Sequence, residues 1–187
     1  MRILLPIIIL SVFQISCQSR IEKNKFAENP HVQQLDSAEA AVSEALTNIE
    51  NFPMEDMKQT MIAVEEYYTF FMNTDYTLER EVYLKELDVL DRTRNSFMKV
   101  STALPSLKDE ADLAYKQLEK LRLAFEHNQI TEEEFISYLD EEMIAVQNLM
   151  FNYQRRVEKA MNYLTGFDTL VPILDERRKE AETNPTS

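Results

Sequence analysis

Side chains able to do chemistry are few in these 187 residues, and they are widely spaced. Cys17 is the only thiol, His31 and His127 are the only imidazoles, and Gly166 is the only glycine. One glycine cannot write a phosphate-cradling P-loop, a GxGxxG dinucleotide turn or a GxSxG nucleophile elbow. A dinuclear carboxylate centre in a helical bundle takes Glu-x-x-His on two helices, so that both ligands face inward one turn apart. Here Glu28 stands three before His31 with Pro30 between them, and Ala124 stands three before His127. No metal, cofactor or catalytic set is expected, and His127 reads as an ordinary residue near a helix C-terminus. Two charges do interrupt otherwise apolar seams, Arg94 and Glu142. Folding the chain at Pro105 and again at Asn128–Gln129 puts both at the level of Lys116 and Gln117. They read there as a structural ion pair, as side chains snorkelling outward, or as a polar ligand-binding layer.

Cys17 differs because of what precedes it. Arg2 supplies one positive charge, Ile3 to Phe13 is a nearly unbroken apolar run, and Ile15 and Ser16 lead directly into the cysteine. The run is about eleven residues, within the roughly 7–15 of a signal h-region and well short of the roughly 20 that a membrane span needs. This stretch resembles a bacterial lipoprotein signal, with Gln14 where a leucine is usual. The resemblance implies that residues 1–16 are removed and that Cys17 is lipidated as the mature N-terminus. It places the protein in the bacterial cell envelope, with the periplasmic side of the outer membrane favoured. An ordinary secretory cut after Ser19, which would discard the cysteine, is the alternative. Exported chains normally pair their thiols, and lipidation gives a lone exported cysteine a use. One acyl chain holds a membrane marginally, whereas several hold it stably. The resemblance covers only the first twenty residues or so and implies nothing about the domain behind them.

The formal charge is −13, from 33 acidic and 20 basic residues, which argues against nucleic acid and against a polybasic hold on anionic lipid. A chain almost free of glycine has little material for tight hairpins, so the expected class is all-α. Residues 17–30 are polar, mixed in charge and without period, which reads as a flexible tether. Residues 31–170 carry helical periodicity, and residues 171–187 read as a short helix and polar tail.

Helix 1 is expected over His31 to Asn51, with Leu35, Ala38, Val42, Ala45, Ile49 and Phe52 at alternating spacing. Pro53 breaks the chain, and helix 2 follows with Met54, Met57, Met61, Val64, Tyr68 and Phe71 on one face. A turn at Asn73 to Thr77 is expected before helix 3, because the seam slips by one residue there; a single long helix is the alternative. Pro105 is expected to end helix 3, and Ser106 to cap helix 4. Thr131 and Glu134 form a capping box that opens helix 5, which runs to about Thr165 and closes on a left-handed Gly166. The whole is an up-and-down antiparallel bundle of four to five helices behind a lipoprotein signal and tether.

Tyr67, Tyr68, Phe70, Phe71, Tyr76 and Tyr83 crowd the turn between helices 2 and 3. Folding at Pro105 would bring them to the end that holds Phe125, Ile130, Phe135, Tyr138 and the tether. Amphipathic rings of this kind suit a docking patch, an end-plug of the core, or the mouth of an apolar pocket. The functional expectation is a membrane-tethered helical module that binds an envelope protein or has a structural role. The alternative is a carrier or sensor of a small apolar ligand in the bundle interior, with a cavity bordered by Met61, Tyr68, Leu90, Leu118 and Leu149.

Overall fold

The computed structural model describes residues 29–77 and 83–183, with the backbone alone for 75–77. The expected leader, Cys17 and the expected tether up to Glu28 lie outside the described residues, as do 78–82 and 184–187. Every regular element among the described residues is helical. They are α1 Pro30–Glu50, α2 Met54–Thr77, α3 Leu84–Glu126, α4 Glu132–Tyr153, a π-helical turn Gln154–Glu158, and α5 Lys159–Thr183. The protein is thus all-α, with four helical rods in an antiparallel bundle, the last rod being α4, the π turn and α5 end to end. No described helix is long and apolar enough to cross a membrane.

The first break falls where the sequence puts it. α1 stops at Glu50 and α2 begins at Met54 behind Pro53, with Glu55 and Asp56 at its positive end. The turn expected at Asn73 to Thr77 is absent, since α2 stays helical through Thr77; Phe71 and Tyr83 nevertheless bring their ring centroids to 5.1 Å, far closer than their spacing along one continuous helix would allow. Helices 2 and 3 are therefore separate. The box at the other turn forms as expected: the Thr131 amide donates to Glu134 Oε2 at 2.8 Å, and the Glu134 amide donates back to Thr131 Oγ1 at 3.2 Å. The bond from the Thr131 amide first, and then one that the Thr131 hydroxyl donates to Glu134 Oε2 at 3.0 Å, hold the Glu134 carboxyl below the usual carboxylate range. Asn128 takes the left-handed backbone, φ 54°, that closes the preceding turn.

Two expected ends are absent. Pro105 lies inside α3, which runs 43 residues without a break, so helices 3 and 4 are one. The seam explains why. Leu90, Thr93, Phe97, Val100, Leu104, Leu107, Ala111, Ala114, Leu118, Leu121 and Phe125 alternate at three and four residues straight through the proline. Pro105 itself is exposed, so the Ser101 carbonyl that loses its usual donor faces water. Ser106 does not cap a helix; its hydroxyl donates back to the Ala103 carbonyl at 3.0 Å. Likewise Gly166 and Pro172 lie inside α5, Gly166 has no positive φ, and Phe167, Leu174 and Ala181 are buried beyond it. The packed bundle extends accordingly past 170.

The chain divides into two compact units, Met1–Glu44 with Asp112–Gln147, and Ala45–Ala111 with Asn148–Ser187. In the first, Leu35, Val42, Leu118, Phe135 and Leu139 are fully buried, and Phe125 stacks on Phe135 at 4.2 Å. Arg122 ties α3 to α1 there, its Nε donating to Glu39 Oε1 at 3.0 Å and its Nη2 reaching Asp36. In the second, one core cluster joins Val64, Phe71, Tyr83, Leu87, Leu90, Phe167 and Leu174. Glu50 to Lys108 at 2.9 Å and Glu86 to Arg177 at 3.3 Å lie at its edges.

The π turn has a sequence counterpart. Leu149, Tyr153 and Val157 are all buried and stand four and four apart, which exceeds the 3.6 residues of an α-helical turn. A wider i→i+5 turn takes up the excess locally and keeps all three facing inward.

A methyl group at Gly166 would meet nothing within 4 Å. Gly166→Ala is therefore expected to raise the urea midpoint, by about 0.5–1 kcal/mol of stability. A left-handed helix terminus at this residue would instead lose stability on the same change.

Candidate functional site

The aromatic stretch turns out to be mostly core. Phe71 is 0% exposed and Tyr83 5%, and neither can present a docking surface. Tyr67, Tyr68 and Phe70 are half-buried and pack against the same cluster, while the side chain of Tyr76 lies outside the described residues. Their outer faces carry charged covers. The Arg94 guanidinium sits 5.6 Å from the centroid of Tyr68, Arg178 sits 5.0 Å from that of Phe70, and the Tyr67 hydroxyl donates to Asp175 Oδ1 at 2.5 Å. Burial first, then that bond, push the Tyr67 phenol up to about 12. A raised phenol keeps its proton longer in the folded chain than in the unfolded one. Its contribution is complete at neutral pH and fades as pH climbs past about 10. The end-plug reading fits these contacts. Phe125 and Phe135 belong to the other compact unit, and the fold-back expected at Pro105 is absent.

Arg94 and Glu142 do not form the pair that a fold at Pro105 would have produced. Arg94 Nε donates to Glu65 Oε1 at 2.5 Å, with the two side chains 37% and 41% exposed. Thr93, not Arg94, occupies the seam; it is 1% exposed, and its hydroxyl is satisfied by the Val89 carbonyl at 2.9 Å. Glu142 lies in the first unit, half-buried. Desolvation, and then the charge of Glu141, push its carboxyl above the usual range. Among the residues expected around an apolar cavity, Leu90, Leu118 and Leu149 are buried in packed cores. Met61 lines an open groove of about 660 Å³ with Ile62, Glu65, Phe70 and Arg178.

A second groove, of about 690 Å³, lies between the outer faces of α3 and of the α4–π–α5 rod in the second unit. Arg92, Asn95, Ser96, Lys99 and Thr102 line it from α3; Asn152, Arg155, Arg156 and Lys159 line it from the facing rod. Arg92 is held by Asp88 at 2.9 Å, and Asn95 donates to Asp91 at 2.8 Å. Arg155 and Lys159 lie over the rings of Phe151 and Tyr163, each 5.9 Å from the centroid. Neither these two nor Lys99 and Arg156 meet a carboxylate within ion-pair distance among the described residues. Ser96, at the floor, is 7% exposed, and its hydroxyl has no hydrogen-bond partner among the described residues.

Sequence reasoning passed over this groove because none of its residues interrupts an apolar seam. A signal was present: Arg92, Asn95, Ser96 and Lys99 repeat the spacing of Asn152, Arg155, Arg156 and Lys159, three, four and seven residues on from the first.

No family model, curated protein or solved structure matches this chain.

Phe71→Ala separates plug from patch. Loss of a fully buried ring is expected to cost about 3–5 kcal/mol in urea unfolding. An exposed docking residue would change stability by less than about 0.5 kcal/mol.

Proposed function

We propose that this chain is a lipid-tethered helical module of the bacterial cell envelope. It is non-enzymatic, and it binds an envelope protein or helps organise the envelope. The observation that carries the reading is the stretch from Arg2 through the apolar run to Ile15, Ser16 and Cys17, set ahead of a chain that folds as helices. Cys17 supplies the hold on the membrane, on the periplasmic side of the outer membrane. α1 starts at Pro30, so the polar segment that follows Cys17 ends where the helical body begins. The acidic surface suits a body that stays in solution beside an anionic bilayer rather than lying on it.

Replacement of Cys17 by Ala tests the tether. The reading expects the variant to leave the membrane fraction for the soluble envelope fraction. It also expects the denatured mass of the parent chain to equal residues 17–187 plus acyl groups. A parent chain that starts after Ser19, or a variant that stays with the membrane, overturns it.

A further inference from the structure

We infer that the groove between α3 and the α4–π–α5 rod binds a phosphate-type oxyanion carried by a larger molecule. This goes beyond the tethered-module reading and does not depend on it.

The charge distribution is the first support. The chain holds 33 acidic residues against 20 basic ones, yet the residues lining this groove include five cations and no carboxylate. Of the five, only Arg92 has a carboxylate counter-ion among the described residues. Arg155 and Lys159 stand four apart on one face, an arrangement that costs free energy through like-charge repulsion when nothing lies between them. A bound anion removes that cost and adds charge-assisted hydrogen bonds.

Ser96 is the second support, and it is independent of charge. A buried hydroxyl normally finds a partner, and leaving it without one is unfavourable. This one lines a cavity together with guanidinium and ammonium groups and has no hydrogen-bond partner among the described residues. An oxyanion seated there accepts from the Ser96 hydroxyl and from the rim together. Asn152 and Asn95, the latter with its amide nitrogen already donating to Asp91, line the same groove and add amide groups to it.

Size indicates the rest of the ligand. A volume of about 690 Å³ is far larger than a free phosphate and falls among pockets that take whole small molecules. Met98, which is half-exposed on the wall, offers apolar contact to the part that carries the phosphate. The overall charge of −13 disfavours a long polyanion, whose far phosphates would meet acidic surface, and favours a compact one confined to the groove.

Thermal unfolding of the full chain at fixed ionic strength tests this. Inorganic phosphate and glycerophosphoglycerol, the soluble headgroup of an anionic phospholipid, are compared with chloride. Either phosphate probe is expected to raise the midpoint above the chloride value. The double variant K99Q/R156Q, two exposed side chains, should weaken the apparent affinity by about tenfold or more. K58Q, a lysine paired with Glu55 away from the groove, should respond like the parent. A response to inorganic phosphate alone assigns the site to soluble phosphorylated molecules, and a response to glycerophosphoglycerol alone assigns it to lipid headgroups. An equal response to both makes the phosphate group itself the recognised element. No rise above chloride with either probe, or an unchanged response in K99Q/R156Q, overturns the inference.

Discussion

The structure depends on one constraint: the apolar seam of α3 must stay on the inner side along the whole helix. A proline in a helix interior costs about 3 kcal/mol or more, chiefly through a lost hydrogen bond and a clash with the preceding turn. Ending the helix at Pro105 would spare that cost, but the seam beyond it would need a new register. Leu107, Leu118 and Leu121 lie beyond the proline and are buried, each burial being worth about 1.5–3 kcal/mol. Together they outweigh the proline, and both Pro105 and Ser101, whose carbonyl loses its helical donor, are exposed. The same logic carries the last rod through Gly166 and Pro172 to the buried Leu174 and Ala181.

Helix content and the inward faces were legible from residue spacing. So were the break at Pro53, the separation of helices 2 and 3 and the Thr131–Glu134 box; the turn expected at Asn73 to Thr77 is set too early, because no Gly or Pro ends the helix there. The ends at Pro105 and Gly166 were misread because local propensity was weighed above a seam that does not change phase. Propensity is a weak prior against continuous burial. The misplaced end then propagated. A turn at Pro105 would have set Arg94 against Glu142 and the aromatic stretch beside Phe125, and neither juxtaposition survives a continuous α3.

The aromatic stretch shows how contacts change a reading of surface chemistry. Six rings in a short span look too many for one core, but α2 has help from two neighbours. Phe71 and Tyr83 go into the cluster with Phe167 and Leu174, while Arg94, Asp175 and Arg178 cover what remains of Tyr68, Tyr67 and Phe70. Charged groups are used here as lids on apolar surface, the guanidinium being well suited because it stacks on rings. The cationic groove is the counter-case, in which charges of one sign line a hollow and the buried Ser96 hydroxyl has no partner among the described residues.

Amide hydrogen exchange at Leu107, Lys108 and Asp109 tests the continuity of α3 most directly. In an unbroken helix these amides donate to Ala103, Leu104 and Pro105, and they should exchange as slowly as those around Phe97 and Val100. In a helix newly started at Ser106 they would be the first, unpaired amides. Exchange near the rate of an unstructured chain at all three would contradict a single α3, and with it the seam that organises the bundle.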